Sequence, residues 1–229
     1  MRNMNRSSFK EREEEFCFYR VLSYKVKCHA QRGKSEIYIV FCRKQVYGTK
    51  ERNKNMKKQK TKEIALYIGK FQPLHKGHVQ IIKNILKKYK KVKIAIGSSN
   101  KQYQRKNPFT KEERKRMMLS ALKEIKIPKQ RYQVYFVPDI PSDNKYVKHV
   151  RNIVKNYETV FTGYGLNIRL FRKANDKVHT IRRLFNISAT KIRRLIKENN
   201  NSYKKMIPKS VDPILLEIDA KKRLAQIKK

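Results

Sequence analysis

From Glu63 to Ile68 the chain reads as a short apolar strand. It turns through Gly69 and Pro73 and passes at once into a helix whose apolar stripe is Val79, Ile82, Ile85, Leu86 and Tyr89. A strand that ends in a glycine turn and opens a helix leaves backbone N–H groups exposed at the helix start, where the helix dipole favours an anion. His75 and His78 flank Gly77 at that start, with Lys70 and Lys76 nearby. A lone histidine is more often a satisfied core or surface residue than a catalyst, and glycine turns after strands are common. The coincidence of all these features at one strand–turn–helix junction points to phosphate, with the histidines placed to stabilise a charged phosphoryl group.

The rest of the chain repeats the alternation. Lys91–Ile96 reads as a second strand closed by Gly97-Ser98-Ser99. Thr110 and Glu113 form a capping box for a helix whose apolar face is Met118, Ala121, Leu122 and Ile125, ended by Pro128. Tyr132–Val137 is a third strand, 147–157 a helix, and Thr159–Thr162 a fourth strand ending at Gly163. A further helix carries Ile192, Leu195 and Ile196, and a last one, after Pro208, carries Val211, Ile214, Leu215 and Ile218. Short apolar strands separated by helices predict an α/β fold: a doubly wound parallel, Rossmann-like sheet with C-terminal helices. Ligands of such sheets bind beyond the strand C-termini, where Gly69, Gly97, Asp139 and Gly163 fall.

Length and composition set outer bounds. The 229 residues suffice for one α/β domain plus an appendage, and 39% hydrophobic residues suffice for a core. No apolar run approaches the ~18 residues of a membrane span, so a soluble protein is expected. Glu13, Glu14 and Glu15 stand where a secretory signal would be apolar. Cys17, Cys28 and Cys42 match no zinc spacing, and a reducing cytoplasm fits. The net charge of +41 admits two readings: nucleic-acid affinity through counterion release, or compositional bias combined with attraction for polyphosphate substrates. The lysines are scattered with no aromatic interleaving, which favours the second reading.

Residues 1–55 differ from the remainder. Phe16–Leu22 and Ile37–Phe41 are apolar enough for short strands, but the segment lacks turn chemistry, and 48–62 reads as a basic linker. Met56 is the expected natural start or domain boundary. Residues 1–62 then form a disordered or mis-called extension and linker, and 63–229 the functional domain.

A second anion-binding start lies at Ile187-Ser188-Ala189-Thr190-Lys191-Ile192-Arg193. Capping explains Ser188 or Thr190. It does not explain cations on a first helical turn, where the dipole disfavours them. A bound anion does.

Gly-Lys-Phe-Gln-Pro-Leu-His-Lys-Gly-His (69–78) resembles the His-x-Gly-His signature of the nucleotidyltransferase superfamily, and 187–193 resembles its Ile-Ser-Ser-Thr-x-Ile-Arg signature. Blocks at 97–99, 107–110, 113–118, 127–132, 137–140, 162–163, 169–171 and 207–211 are similar to the archaeal-type nicotinamide-nucleotide adenylyltransferases, so the resemblance covers about 64–224.

The resemblance implies transfer of the adenylyl group of ATP to nicotinamide mononucleotide (NMN), giving NAD and pyrophosphate without a protein nucleophile. It implies that Lys70, His75, His78 and Arg193 are catalytic, and that Gly69, Gly163, Ser188 and Thr190 join them around ATP. It implies that Asp139, Asp143 and Tyr146 meet the acceptor, and that Mg2+ is held mainly by ATP phosphates rather than by protein ligands. A homo-oligomer is expected, with no membrane and with nucleic acid not favoured. Other acceptors on the same fold remain open (precursors of dephospho-coenzyme A, FAD or CDP-alcohols), as does a nucleic-acid-binding protein on this scaffold. Departures from the family pattern bear on them: Lys70 stands for Arg, Asp143 for Asn, Tyr146 for Trp and Tyr164-Gly165 for Asn-Pro.

Overall fold

A computed structural model describes residues 62–182 and 184–227. The expectations for 1–61, including the two short strands, the cysteines and the Met56 boundary, lie outside the described residues.

Five strands form one parallel sheet in the order β3-β2-β1-β4-β5: β1 Lys62–Gly69, β2 Tyr89–Gly97, β3 Tyr132–Val137, β4 Thr159–Thr162 and β5 Val178–Thr180. The helices are α1 Lys76–Leu86, α2 Lys111–Glu124, α3 Asp143–Val154, α4 Gly165–Lys173, α5 Ala189–Lys197, α6 Asp212–Glu217 and α7 Ala220–Gln226. Successive strand residues point to opposite faces. Ala65 and Tyr67 join the core formed with α1, α2 and α5–α7, while Leu66 and Ile68 join the core formed with α3 and α4. With both faces covered, β1 is apolar from Ile64 to Ile68, as parallel sheets favour. Strand β2 is interrupted by the buried Lys93, whose ammonium donates to the carbonyls of Val154, Lys155 and Asn156 at 2.9, 3.0 and 3.1 Å.

The doubly wound sheet is the expected fold, and several boundaries differ from the sequence reading. Tyr89 does not extend α1. Lys87 and Lys88 end that helix, and Tyr89 opens β2, 3% exposed and edge-on to Phe161 at 5.6 Å. Helix α3 starts at Asp143 rather than at 147, its acid on the first turn. Helix α4 and strand β5 are additional elements; Gly163 and Gly165 conceal the helix start, and the strand is three residues long. The last helix is divided. Asp219 takes a left-handed conformation (φ 44°), and its carboxylate caps α7 by accepting from the Lys222 N–H at 3.2 Å. The Thr110–Glu113 capping box forms as expected, with reciprocal bonds of 3.1 and 2.9 Å. Strand β1 lies between β2 and β4, the strands that continue the chain on either side, so its C-terminal end is the topological switch point.

Candidate active site

The turn after β1 is held from several sides. Gln72 is buried, and its side-chain amide both accepts from the Phe109 N–H and donates to the Phe109 carbonyl, each at 3.0 Å. The Gln72 carbonyl accepts from Arg193 Nη1 of α5 at 2.7 Å. The Lys70 carbonyl accepts from Arg114 Nη1 of α2 at 3.0 Å.

His75 is the N-cap of α1, and the imidazoles of His75 and His78 stack with centroids 3.5 Å apart. Phe71 meets His78 edge-on at 4.9 Å, and Tyr67 meets Phe71 in the same way at 5.3 Å. The His75 N–H donates to His78 Nδ1 at 3.3 Å. Loss of solvent, and then the neighbouring His75, hold the His78 pKa well below that of an ordinary histidine. His78 is therefore neutral at pH 7. Because its Nδ1 is an acceptor, its proton lies on Nε2 and can be donated to a ligand. Gly77 belongs here for steric reasons: a Cβ on it would lie 3.1 Å from Cε1 and Nδ1 of His75.

Two clefts open at this edge of the sheet. The smaller, ≈ 320 Å³, contains His75, His78, Gly163 and Ser188. The larger, ≈ 680 Å³, contains Asp139, Asp143 and Tyr146. Ile68, Gly69, Lys70 and Tyr164 line both, so the two clefts meet at the end of β1. Thr190 and Arg193 line neither. Ser188 caps α5 by accepting from the Lys191 N–H at 3.2 Å, and Arg193, partly buried, spends its donors on Gln72 and on Thr190 Oγ1 at 3.4 Å. Burial lowers the Arg193 pKa.

The lining of the larger cleft mixes both signs of charge: Lys70, Lys101, Arg105 and Lys106 with Asp139 and Asp143, beside Tyr146 and Tyr164. Asp139 is fixed by Ser98 Oγ, which donates to Oδ1 at 3.0 Å, and by the Lys101 ammonium 2.9 Å from Oδ2. Tyr146 stands edge-on to Phe171 at 6.4 Å. Its pKa is raised first by burial and then by the fields of Asp139 and Tyr164. The Lys70 pKa is lowered first by desolvation; Asp139 opposes the shift, while Lys101, Lys106 and Arg114 add to it. Lys101, Arg105, Lys106 and Arg114 were not singled out from the sequence as site residues. The basic run 101–106 following a glycine-ended strand was the available signal for the first three. For Arg114 the signal was its place in the family-like block 113–118; by local pattern alone an arginine in a capping helix reads as surface.

Among the described residues no group of three or more His, Cys, Asp or Glu converges to hold a metal ion, and none of their helices is long and apolar enough to cross a membrane.

The N-caps of α1 and α5, His75 and Ser188, thus border one cleft at the C-terminal edge of a parallel sheet, beside the larger cleft. The cytidylyltransferase-like family matches residues 66–195. A nicotinamide-nucleotide adenylyltransferase of Archaeoglobus fulgidus is 39% identical over 173 residues, 71% of this chain and 96% of its own. One of Thermococcus sibiricus is 35% identical over 166 residues, 71% of this chain and 88% of its own. A solved bifunctional NMN adenylyltransferase/ADP-ribose pyrophosphatase of Francisella tularensis, complexed with AMP and a Mn ion, superposes with a TM-score of 0.56 at 25% identity, over 71% of this chain and 52% of that one. The chain belongs to the cytidylyltransferase-like family, in its nicotinamide-nucleotide adenylyltransferase branch.

Proposed function

We propose that this protein transfers the adenylyl group of ATP to nicotinamide mononucleotide, and that residues 63–229 form the domain that does so. The observation that carries the reading is the meeting of the two clefts at Gly69 and Lys70. ATP phosphates in the smaller cleft and an acceptor 5′-phosphate in the larger one approach each other across Lys70. An acceptor phosphate oxygen attacks the α-phosphorus; the new P–O bond forms as the bond to the β-phosphate bridging oxygen breaks, and pyrophosphate leaves.

The protein supplies position and charge. His78 donates from Nε2 to the α-phosphoryl oxygens as negative charge builds there, with His75 beside it. Lys70 neutralises phosphate at the junction. The N–H groups at the start of α5, with Ser188, hold the β- and γ-phosphates, while Thr190, which lines neither cleft, accepts from Arg193. Arg193 brings its charge to the same end of α5 while anchoring the turn, so a pyrophosphate contact requires it to release Gln72 or to share a donor. A divalent ion such as Mg2+, when bound with ATP, would supply further neutralisation of the phosphate charge. In the larger cleft, the cationic pyridinium of NMN is matched by the carboxylates of Asp139 and Asp143 and by the face of Tyr146.

The test is turnover of the full chain with ATP, Mg2+ and a panel of acceptors: NMN, nicotinate mononucleotide, 4′-phosphopantetheine, FMN and a phosphorylated alcohol with CTP. NAD formation from NMN is expected. Product from another acceptor, with none from NMN, reassigns the larger cleft.

A further inference from the structure

Arg114 is the largest side chain wholly removed from solvent, 0% exposed, and none of the roles above uses it. It lies on the first turn of α2 and points into the junction of three chain segments. Its Nε donates to the Thr110 carbonyl at 3.0 Å, Nη1 to the carbonyls of Lys70 at 3.0 Å and Gly97 at 2.8 Å, and Nη2 to the Ser98 carbonyl at 3.2 Å. Among the described residues no carboxylate accepts from it; Glu112, Asp139 and Glu113 act on it only through their fields. A buried ionised guanidinium bonded solely to neutral carbonyls is costly, and an apolar side chain would fill the volume more cheaply. Its position gives the cost a purpose. Lys70, Gly97 and Ser98, whose carbonyls it holds, all line the larger cleft, and Ser98 in turn fixes Asp139. The fork therefore ties together two charged parts of that cleft's lining: Lys70 directly, and Asp139 through Ser98.

We propose that Arg114 is a positioning residue for the transfer reaction, setting Lys70 and the Ser98–Asp139 pair in register across the larger cleft and placing a fixed positive charge behind the acceptor phosphate. This rests on the reading of that cleft as the acceptor site. The two contributions separate by substitution. Lysine keeps the charge but has no planar fork to hold three segments at once; glutamine has neither the fork nor the charge. A purely structural arginine, tying the ends of β1 and β2 together, would lower thermal stability and leave turnover by the folded fraction unchanged.

The experiment uses the full chain and the variants Arg114→Lys, Arg114→Gln, Ser98→Ala and the double variant Arg114→Lys/Ser98→Ala. Melting is followed by circular dichroism, and kcat and KM are measured for ATP and NMN well below each midpoint. Arg114→Lys is expected to remain folded with kcat reduced about tenfold or more, as misplacement of reacting groups by a fraction of an ångström predicts. Arg114→Gln is expected to add a rise in the KM for NMN. The losses in Arg114→Lys and Ser98→Ala are expected to be non-additive, because both act through Asp139.

Arg114→Lys with kcat and KM within twofold of wild type overturns the proposal, as does full additivity in the double variant. Failure of both Arg114 variants to fold assigns the residue to the fold alone and overturns it too. If the wild-type chain prefers another acceptor, the same series is read with that acceptor. A wild type inactive with every acceptor overturns the functional reading and this proposal together, whereas an active wild type with unaltered variants overturns this proposal alone.

Discussion

The backbone N–H of His75 donates to Nδ1 of His78 at 3.3 Å while the two imidazoles lie face to face, their planes 20° apart. One histidine therefore sets the tautomer of the other, and the free Nε2–H of His78 is the donor presented to the smaller cleft. Replacing His78 with alanine should lower kcat about 100-fold or more, the usual cost of removing one transition-state donor. The circular dichroism spectrum should stay native. A variant with near-normal turnover would remove His78 from the chemistry.

The same contact fixes a protonation state. Since burial and His75 hold the His78 pKa well below the ordinary value, the ring is neutral at neutral pH and gains a proton only in more acid solution than an ordinary histidine. The unfolded chain, with an ordinary histidine, binds that proton first, so stability associated with His78 is complete above about pH 6.5 and declines below it. Nitrogen chemical shifts of the His78 ring should report a bare Nδ1 and a protonated Nε2 at neutral pH. Titration of the ring near pH 6.5 would contradict this.

Lys70 predicts the opposite limb. Its charge is needed at the junction of the clefts, and desolvation lowers its pKa with help from the surrounding cations. The profile of kcat/KM against pH should therefore turn down on the alkaline side earlier than an ordinary lysine would dictate. In Lys70→Arg that limb should move upward, because the guanidinium does not titrate in this range.

Gly77 separates stability from activity. Alanine is the better helix former by up to about 1 kcal/mol. Its Cβ, however, would crowd His75 at 3.1 Å and displace the ring from its stack. Gly77→Ala should melt no lower than wild type, yet lose about tenfold or more in kcat through misplacement of that ring. Calorimetry and steady-state kinetics on the same sample decide it.

Asp143 lines the larger cleft on the same face of α3 as Tyr146, one turn before it. A carboxylate there favours the neutral amide of nicotinamide over the anionic group of nicotinate. Asp143→Asn should shift the ratio of kcat/KM for the two mononucleotides toward nicotinate by about tenfold, the equivalent of about 1.4 kcal/mol. Competition between the two acceptors in one reaction measures it directly.

Much of this site was legible in the sequence. The turn 69–78 and the start 187–193 carry local chemistry: glycines, caps and cations at helix starts, each readable within a dozen residues. Their convergence depends on β1 lying beside β4, a strand order that the alternation of strands and helices does not by itself fix. What was not legible is long-range and made of backbone. Arg114 acts on the carbonyls of Lys70, Gly97 and Ser98, groups every residue possesses. Arg193 reads as a free phosphate ligand in sequence but bonds the Gln72 carbonyl across 121 positions. Helix α4 was obscured because Gly163 and Gly165, which shape the edge of the site, also erase the usual marks of a helix start.

The wall shared by the two clefts has a kinetic consequence. A dinucleotide product joins the contents of both, so it must straddle Gly69, Lys70 and Tyr164 and be released from both sides at once. Pyrophosphate has only one side to leave. Dinucleotide departure is then expected to be the slower exit, and added product is expected to compete with ATP and with the acceptor alike in product-inhibition kinetics. A bisubstrate molecule linking adenosine and a pyridine nucleoside through a phosphate chain longer than the product's would occupy both clefts and act as an inhibitor of both substrates.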